Sequence, residues 1–405
     1  MTADVIIVGG GPSGVSAALE LRRRGIKEVV LLDREPELGG ATRHCSHSPF
    51  GMREFGRVYF GGAYGRRLHK EAIAAGVDIR TGHSVVALGD DASLEVTTPH
   101  GLQTLKARRL LVATGAREKP RSARLLTGDR PIGVVTTGTL QSYVAFHGLM
   151  PFLRPLIVGS ELVSLSAVLT CLTHGARPVA MIEQEPHALA REPLAWFPAL
   201  VGIPFYRSTE LVDIKGRARV EAVTIRRNGT LETLDCDGVL LTGQFTPESS
   251  LFLQSAMGVD TGSSGPVVDQ DGRSANPLYF AGGNVLRAVE TCGWAFREGR
   301  AVGASLALDL KRDIGPADFV PVTFDDPVKL VVPNILRRSN LEMVAFRQFQ
   351  LRFVRRAFGT LSLEIEGKVI WSKRGQWMPE RRTQVPIPPN AQKAQHVHFG
   401  FKEEL

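Results

Sequence analysis

The sequence predicts an α/β fold, and three observations lead to that class. An apolar strand runs through a glycine turn into a helical pattern at residues 4–24. The same order of strand, turn and helix returns at residues 155–183, and alternating apolar segments broken by prolines follow residue 316. The first two patterns are typical of parallel strands joined by helices, and the third is typical of antiparallel strands. We therefore predict two Rossmann-like domains, the first of them discontinuous, and a small C-terminal all-β domain.

The first glycine turn predicts a dinucleotide site. Gly9, Gly11 and Gly14 have the spacing G-x-G-x-x-G. In this motif one glycine forms the tight turn, one lets the backbone approach a pyrophosphate, and one allows close packing of helix on strand. Pro12 and Ser13 then open a helix whose N-terminus favours negative phosphate groups.

An acidic residue and three further motifs favour FAD as this dinucleotide. Asp33, with Arg34 beside it, ends the second strand about 20 residues after the glycines, where a carboxylate can bind ribose hydroxyls. The segment Glu-Leu-Gly-Gly at 37–40 follows at once, and the motifs at 110–115 and 277–284 come later. Together these motifs resemble those of the two-dinucleotide-fold flavoproteins, the glutathione reductase and thioredoxin reductase superfamily, over residues 3–312.

The resemblance implies which residues bind the FAD. We expect contacts from all four motifs and from the start of a late helix: Gly9, Gly11, Pro12, Ser13, Gly14, Asp33, Arg34, Gly40, Ala41, Thr42, Ala113, Thr114, Gly115, Gly283, Asn284, Thr291 and Cys292. Asn284 stands where the superfamily usually has aspartate, so it can accept a hydrogen bond but carries no charge. Thr291 and Cys292 open a helix whose N-terminus should stabilise negative charge on the ring.

The loop at residues 41–51 holds the candidate catalytic residues His44, Cys45 and His47. One interpretation is that they line the flavin and relay protons, because imidazole titrates near neutral pH. The other is that they hold the loop by hydrogen bonds. The resemblance implies a second cysteine at position 50 in disulfide reductases, but Phe50 occupies it, so dithiol exchange is not expected. Nothing in the sequence would lower the pKa of Cys45, which makes it a poor nucleophile.

The second turn, at residues 159–164, departs from the glycine pattern. Gly159 is kept, but Glu161 and Ser164 replace the second and third glycines. A side chain at the second position obstructs a pyrophosphate, and a carboxylate there repels phosphates. We predict that this domain does not bind NAD(P)H productively. Glu183 could still serve a ribose, and an adenine nucleotide such as ATP in this domain is left open.

We expect domain boundaries at 1–118 and 245–315 for the FAD-binding domain, 119–244 for the second Rossmann-like domain and 316–405 for the β domain. The strands of the last domain contain no cysteine, so they cannot hold an iron-sulfur cluster through thiolates. Residues 386–405 are expected to form an extended arm that wraps a partner.

Composition and charge narrow the function classes. The formal net charge is +8, and residues 317–405 hold 14 Lys and Arg against 9 Asp and Glu, a local surplus of +5. No aromatic stacking motif accompanies these charges, so a solvated or partner-facing surface is favoured over nucleic acid. Four widely spaced cysteines favour a reducing compartment, without a zinc site or a disulfide framework. We expect a cytoplasmic protein without a cleaved signal or a transmembrane segment, with peripheral contact at the inner membrane face left open.

Two segments, residues 39–51 and 283–294, resemble one branch of the superfamily more closely. This branch is the FAD-containing α subunit of multicomponent dye-linked amino-acid and opine dehydrogenases, including the proline, hydroxyproline and hydrogen cyanide-forming types. The resemblance implies a hetero-oligomer with a small [2Fe-2S] protein and an amino-acid-oxidase-like flavoprotein subunit, in which the cluster comes only through the partner chain. The leading hypothesis is an electron-transfer subunit that reduces a quinone or dye. The alternatives are a self-contained FAD-dependent oxidoreductase or oxidase acting beside His44 and His47, and a non-enzymatic FAD-binding scaffold.

Overall fold

The computed structural model describes residues 3–312, 318–338 and 345–404 of the 405-residue chain. In chain order its strands are β1 Ala3–Val8, β2 Val29–Leu32, β3 Asp78–Arg80, β4 Ser84–Leu88, β5 Ser93–Thr98, β6 Gly101–Val112, β7 Ala116–Glu118, β8 Val134–Thr136, β9 Pro155–Val158, β10 Ala180–Ile182, β11 Phe205–Tyr206, β12 Thr209–Lys215, β13 Ala222–Arg227, β14 Thr230–Asp235, β15 Gly238–Leu241, β16 Phe245–Pro247, β17 Tyr279–Ala281, β18 Phe319–Phe324, β19 Val328–Val332, β20 Ile335–Arg337, β21 Gln348–Phe353, β22 Ala357–Ile365, β23 Lys368–Trp377, β24 Thr383–Pro386 and β25 Val397–Glu403. The α-helices are α1 Pro12–Arg23, α2 Met52–Phe55, α3 Gly61–Ala74, α4 Thr137–His147, α5 Leu162–Thr173, α6 Phe197–Leu200, α7 Ser250–Leu253 and α8 Cys292–Arg312.

Two parallel sheets confirm the predicted fold class. In the first sheet the parallel strands run β3-β2-β1-β6, with β17 on the other side of β6. In the second sheet they run β11-β10-β9-β15-β8. In both sheets the strand that precedes the glycine turn, β1 or β9, lies inside the sheet, which is the arrangement of a doubly wound dinucleotide fold.

Each parallel sheet has a set of antiparallel strands beside it. In the first, β4, β5 and the first half of β6 form a meander; the second half of β6 then joins the parallel sheet. The sequence of residues 102–113 predicts two strands, and this prediction is wrong, since one continuous strand serves both sheets. Beside the second parallel sheet, β12, β13 and β14 form an antiparallel sheet. The Asn-Gly pair at 228–229 predicts a hairpin turn, and the structure confirms it: the two residues have φ angles of 51° and 80° and join β13 to β14.

The two Rossmann-like domains are connected by paired crossing segments. Strand β7 leaves the first domain and pairs antiparallel with β16, which returns to it. This sheet membership supports our proposal that the first domain is discontinuous, with limits at 1–118, 119–244, 245–315 and 316–405. The predicted break at Gly315 and Pro316 lies outside the described residues.

Two helices of the first domain pack unusually closely. A Cβ atom on Gly299 of α8 would overlap the carbonyl oxygen of Ser13, and one on Gly303 would lie 2.8 Å from that of Ala17. Glycine at these two positions lets α8 lie directly against α1. The N-terminus of α8 is thereby held beside the first glycine turn. The sequence of residues 53–76 predicts a helical stretch that ends at Gly76, and α3, Gly61–Ala74, confirms it.

The C-terminal domain consists of a five-stranded sheet, β20-β18-β25-β22-β23, and a three-stranded sheet, β19-β21-β24. The Glu-Gly pair at 366–367 predicts a hairpin turn between β22 and β23, and the structure confirms it, with φ angles of 51° and 72°. The predicted extended arm is wrong over residues 397–403. These residues form β25, which lies inside the sheet between β18 and β22, and Val397 and Phe399 point into the core.

We expect Phe399→Ala to destabilise the C-terminal domain more than Phe358→Ala. Phe399 is fully buried and its ring packs edge-on against Phe349, with 5.2 Å between centroids, whereas Phe358 is 40% exposed. The core substitution should lower the free energy of unfolding by about 3–5 kcal/mol, and the surface substitution by about 1 kcal/mol or less. Urea denaturation of both variants measures the difference. Equal losses would show that β25 does not contribute to the core.

Candidate functional site

The first glycine turn combines tight packing with one open position. Gly9 has φ +107°, and a Cβ atom there would lie 2.5 Å from the carbonyl oxygen of Ala113. A Cβ atom on Gly14 would overlap the carbonyl oxygen of Gly9. Above Gly11, by contrast, the nearest atom is the Cα of Gly40, at 3.9 Å. Packing therefore requires two of the glycines, and the third leaves the backbone open to a ligand.

The N-terminus of α1 offers donors at this open position. Gly11 caps the helix and has no side chain to accept its N–H groups, and Pro12 follows at its start. Ser13 is buried, and its hydroxyl oxygen has no hydrogen-bond partner among the described residues. Gly283 lies so close that a Cβ atom on it would be 2.7 Å from the Cβ of Ser13. Unpaired donors at a helix N-terminus fit a diphosphate.

Asp33 holds the turn from the next strand. Its carboxylate accepts hydrogen bonds from the main-chain N–H groups of Gly10, at 2.7 Å, and Glu35, at 2.8 Å. Burial raises the pKa of Asp33, and these two bonds oppose that shift. Each carboxylate oxygen keeps a second lone pair, so ribose binding stays a prediction. Arg34 is 72% exposed and lies 3.8 Å from Glu35, so the structure gives it no contact with the turn.

Two further segments border the turn. Gly40, φ +54°, approaches Gly11 closely, Ala41 beside it is exposed, and the Thr42 hydroxyl donates to the carbonyl of Gly39 at 2.8 Å. On the other side, Ala113 donates its N–H to Val8 at the end of β1. The Thr114 hydroxyl donates to the carbonyl of Glu248 at 2.7 Å, and Gly115 accepts from the N–H of Glu248 at 2.9 Å. The bonds to Glu248 fix residues 113–115 to the segment that returns from the second domain.

The predicted catalytic residues are placed in a desolvated loop. Burial, followed by the charge of the neighbouring Arg43, lowers the pKa of His44 to about 4. Burial also lowers the pKa of His47 and raises that of Cys45 to about 12. This environment disfavours the interpretation that His44 relays protons near neutral pH, because the charged imidazole would lose its hydration. At pH 7 His44 is neutral and Cys45 is a thiol.

Cys292 opens α8 near the same loop. Its sulfur lies 4.0 Å from Oε1 of Glu54, and the Tyr64 hydroxyl donates to the same carboxylate oxygen at 3.0 Å. Burial, followed by the charge of Glu54, raises the pKa of Cys292 to about 12. Both Cys45 and Cys292 are free. Cys292 is therefore a packed thiol. The carbonyl oxygen of Thr291, the residue before it, accepts hydrogen bonds from N–H groups in the first turn of the helix.

Sequence reasoning missed Glu290. Its main-chain N–H donates to Asn284 Oδ1 at 2.9 Å, and its carbonyl accepts from Asn284 Nδ2 at 3.2 Å, so Asn284 is held by both ends of its amide. The carboxylate of Glu290 is 2% exposed and accepts hydrogen bonds from Arg352 and Arg382 of the C-terminal domain. The C-terminal domain therefore fixes the segment between Gly283 and α8. In the sequence, the single charged residue Arg352 within an apolar strand was the feature that could have indicated a buried acidic partner.

A second buried ion pair supports the same segment. Arg287 is fully buried and donates to Glu298 on α8. Glu298 also accepts a hydrogen bond from the N–H of Gly283 at 2.8 Å. The guanidinium of Arg382 lies 3.5 Å from the ring centroid of Trp294, in the first turn of α8. The start of α8 is therefore held by charge pairs and stacking as well as by its contact with α1.

The second turn is filled by Glu161. A Cβ atom on Gly243 would overlap its carboxylate, and one on Gly159 would lie 2.8 Å from its Oε2. The N–H of Gln244 donates to Oε1 at 3.3 Å, and Oε2 is buried without a partner among the described residues. The side chain thus covers the carboxyl ends of β9 and β15, where a pyrophosphate would lie.

Glu161 carries less negative charge at this turn than the sequence analysis assumed when it expected repulsion of phosphates. Burial raises the pKa of Glu161 to about 7, so the carboxyl is partly protonated at neutral pH and obstructs mainly by its volume. Glu183 accepts hydrogen bonds from the Ser160 hydroxyl and from the N–H of Glu185, one on each carboxylate oxygen, as Asp33 does beside the first turn. The third glycine position, Ser164, is buried and donates to the carbonyl of Glu161.

The described residues also bear on metal sites and membrane spans. In the described part of the chain no three His, Cys, Asp or Glu side chains are grouped so that they could hold a metal ion. No helix in those same residues has the length and apolar character needed to cross a membrane.

The chain has two parallel-sheet domains, which are joined by the crossing pair β7 and β16, and the glycine turn of the first domain is open. These features define a flavoprotein oxidoreductase with two dinucleotide-binding folds. The chain belongs to the pyridine nucleotide-disulphide oxidoreductase family, whose sequence profile matches residues 3–299. The family implies FAD, and the open backbone at Gly11 and the unpaired hydroxyl of Ser13 fit its diphosphate. The protein is therefore an FAD-dependent oxidoreductase.

Individual relatives share only part of their length with this chain. One of the opine oxidase subunits of Rhizobium meliloti (strain 1021) is 29% identical over 182 residues, which are 44% of this chain and 38% of the relative. Hydrogen cyanide synthase subunit HcnB of Pseudomonas aeruginosa is 29% identical over 250 residues, 56% of this chain and 51% of the relative. The chain thus spans about half or less of these proteins. The structure of thioredoxin reductase from T. acidophilum is 22% identical in sequence and shares the fold, with a TM-score of 0.63. The match covers 76% of this chain and 98% of the reductase.

We expect Gly11→Val to abolish FAD binding without destabilising the protein. A Cβ atom at Gly11 meets only the Cα of Gly40, at 3.9 Å, so the larger side chain fills the ligand's space and clashes with little else. Flavin absorbance per polypeptide should fall by roughly tenfold or more. Gly375→Val is the matched control, because a Cβ atom there meets nothing within 4 Å and it lies on the distant strand β23. Normal flavin content in Gly11→Val would place the diphosphate elsewhere.

Proposed function

We propose that this protein is the FAD-containing electron-transfer subunit of a multicomponent dehydrogenase for amino acids, hydroxyproline or opines. It receives electrons from a [2Fe-2S] protein and a partner flavoprotein subunit, and it passes them to a quinone or dye. The observation that carries the proposal is the second turn, where Glu161 occupies the place that a pyridine nucleotide needs. Without that coenzyme, electrons must be exchanged with other proteins or with a small acceptor.

The state of the loop residues supports a partner as the site of substrate chemistry. A base or nucleophile acting directly on a substrate at neutral pH needs a pKa matched to that pH. The pKa of His44 is lowered to about 4 and that of Cys45 is raised to about 12. The loop also has no dithiol, because Phe50 takes the second cysteine position. At neutral pH these groups are uncharged, which suits the surroundings of a redox cofactor better than a catalytic centre that acts on a substrate directly.

The relatives support the same interpretation. Two of them are by their names subunits, one of an opine oxidase and one of a hydrogen cyanide synthase. On this proposal the present chain is likewise a component of a hetero-oligomer, working in the cytoplasm or at the inner face of the membrane if its acceptor is a quinone. An adenine nucleotide such as ATP in the second domain stays part of the proposal, as a ligand without a redox role.

The chain's own residues have defined tasks in this function. Bound FAD would supply a centre that can exchange electrons singly, as with an iron-sulfur cluster, or in pairs, as with a flavin or a quinone. The N-terminus of α1, with Gly11 and Ser13, would bind its diphosphate, and the N-terminus of α8 would stabilise negative charge on its ring. Glu290 and Asn284 hold the segment before α8 in place. His44, neutral at pH 7, adds no competing charge.

The FAD-loaded chain should reduce an artificial dye only in the presence of its partners. We expect the isolated protein, assayed with proline, hydroxyproline, glycine and opines, to turn over roughly a hundredfold more slowly than the complex recovered with it from cells. The isolated protein's flavin should still be reduced by dithionite, which shows that the cofactor is competent. Substantial dye reduction by the isolated chain would contradict the proposed role as a subunit and favour a self-contained oxidoreductase. Flavin that stays oxidised in the complex supplied with substrate would favour a scaffold.

A further inference from the structure

A cavity of about 870 Å³ lies between the second Rossmann-like domain and the C-terminal β domain. One wall comes from residues after β10, between His187 and Arg207. The other wall comes from Arg356, which precedes β22, from Gln376 in β23, and from Met378 and Arg381 after that strand. It is separate from the first glycine turn and from Glu161, neither of which lines it. A volume of this size is typical of small-molecule sites.

The walls of this cavity carry an excess of positive charge. Arg191 and Arg207 come from the Rossmann-like domain, Arg356 and Arg381 come from the β domain, and Glu192 is the acidic residue among those lining the cavity. Within the described residues no carboxylate lies within ion-pair distance of Arg191, Arg207 or Arg381. Like charges that converge without counter-charges repel one another.

Arg381 carries a buried donor, its Nε atom, that has no acceptor among the described residues. Its pKa is lowered by burial and then by the charge of Arg191. A buried guanidinium donor without an acceptor is costly, and a bound anion would supply the acceptor.

The shape of the cavity is fixed across the domain boundary. The Arg356 guanidinium contacts His187 Nε2 on the opposite wall. The amide of Gln376, oriented to place its oxygen toward Arg356, accepts from Nε at 2.6 Å. Because this bridge is present in the protein itself, little ordering is needed when a ligand binds.

One side of the cavity is apolar and aromatic. Trp196 is 56% exposed and lines it together with Phe205, Ile203 and Met378. A large exposed indole beside a basic wall can stack on a flat group while the arginines bind a charged one.

We propose that this interdomain cavity binds a small organic anion that carries at least two negative charges and a flat apolar group, such as an aryl phosphate. Its charged end lies on Arg191 and Arg381, and its flat part lies against Trp196. The site joins the two domains, so its occupant also holds them together. This inference does not depend on the proposed electron-transfer function.

The test uses the full FAD-loaded chain and three probes: 1-naphthyl phosphate, inorganic pyrophosphate and uncharged 1-naphthol. We expect 1-naphthyl phosphate to bind with a dissociation constant of about 1 mM or lower, measured by calorimetry, and pyrophosphate to bind more weakly because it lacks the flat group. 1-Naphthol should not bind. Trp196→Ala should weaken 1-naphthyl phosphate and leave pyrophosphate unchanged.

Two arginine variants and a matched control locate the site. Arg381→Met and Arg191→Met should each weaken 1-naphthyl phosphate by roughly tenfold or more. Arg226→Gln, which removes an exposed arginine that is paired with Glu210 and does not line the cavity, should not. Arg191 is exposed, so its variant tests the site even if Arg381→Met folds poorly. The proposal is overturned if 1-naphthyl phosphate fails to bind at about 10 mM, or if both cavity variants bind it as the Arg226→Gln control does.

Discussion

Close backbone contact at the first glycine turn is the constraint on which the rest of the structure depends. Gly14 lies against Gly9, and Gly9 lies against Ala113, so the turn cannot accept side chains at these two points. Gly299 extends the same close contact to α8, which packs on α1 at Ser13. The result is that the N-terminus of α1 and an open stretch of backbone at Gly11 lie together, with α8 packed against them at Gly299. Helix N-termini and free backbone are what a diphosphate needs, so this contact defines the cofactor site.

The second domain repeats the strand order of the first without repeating that contact. Glu161 stands where Gly11 stands in the first turn, and its carboxyl group fills the space between Gly159 and Gly243. The hydrogen bond from Gln244 and burial of the carboxyl keep it there. The fold of a nucleotide-binding domain is therefore retained while its central opening is occupied. This difference between two similar domains is why we assign electron exchange to partners.

The sequence was most informative where local rules decide structure. The glycine spacing located the first turn, and the Asn228-Gly229 and Glu366-Gly367 pairs located two hairpins, because each depends on a φ angle that glycine or asparagine adopts. Distant contacts were not predictable. The strand β25 inside the last sheet depends on pairing with β18, some 70 residues earlier, and the role of Glu290 depends on Arg352 and Arg382. The lowered pKa of His44 depends on burial, which no local pattern reports.

Anaerobic titration of the FAD-loaded protein with NADH and NADPH tests the central claim most directly. We predict that neither coenzyme bleaches the flavin absorbance at micromolar concentration, because Glu161 occupies the space of its pyrophosphate. The variant Glu161→Gly with Ser164→Gly, which restores the glycine spacing, provides a comparison in which that space is cleared. Stoichiometric bleaching of the wild-type flavin by micromolar NADH or NADPH would contradict the account.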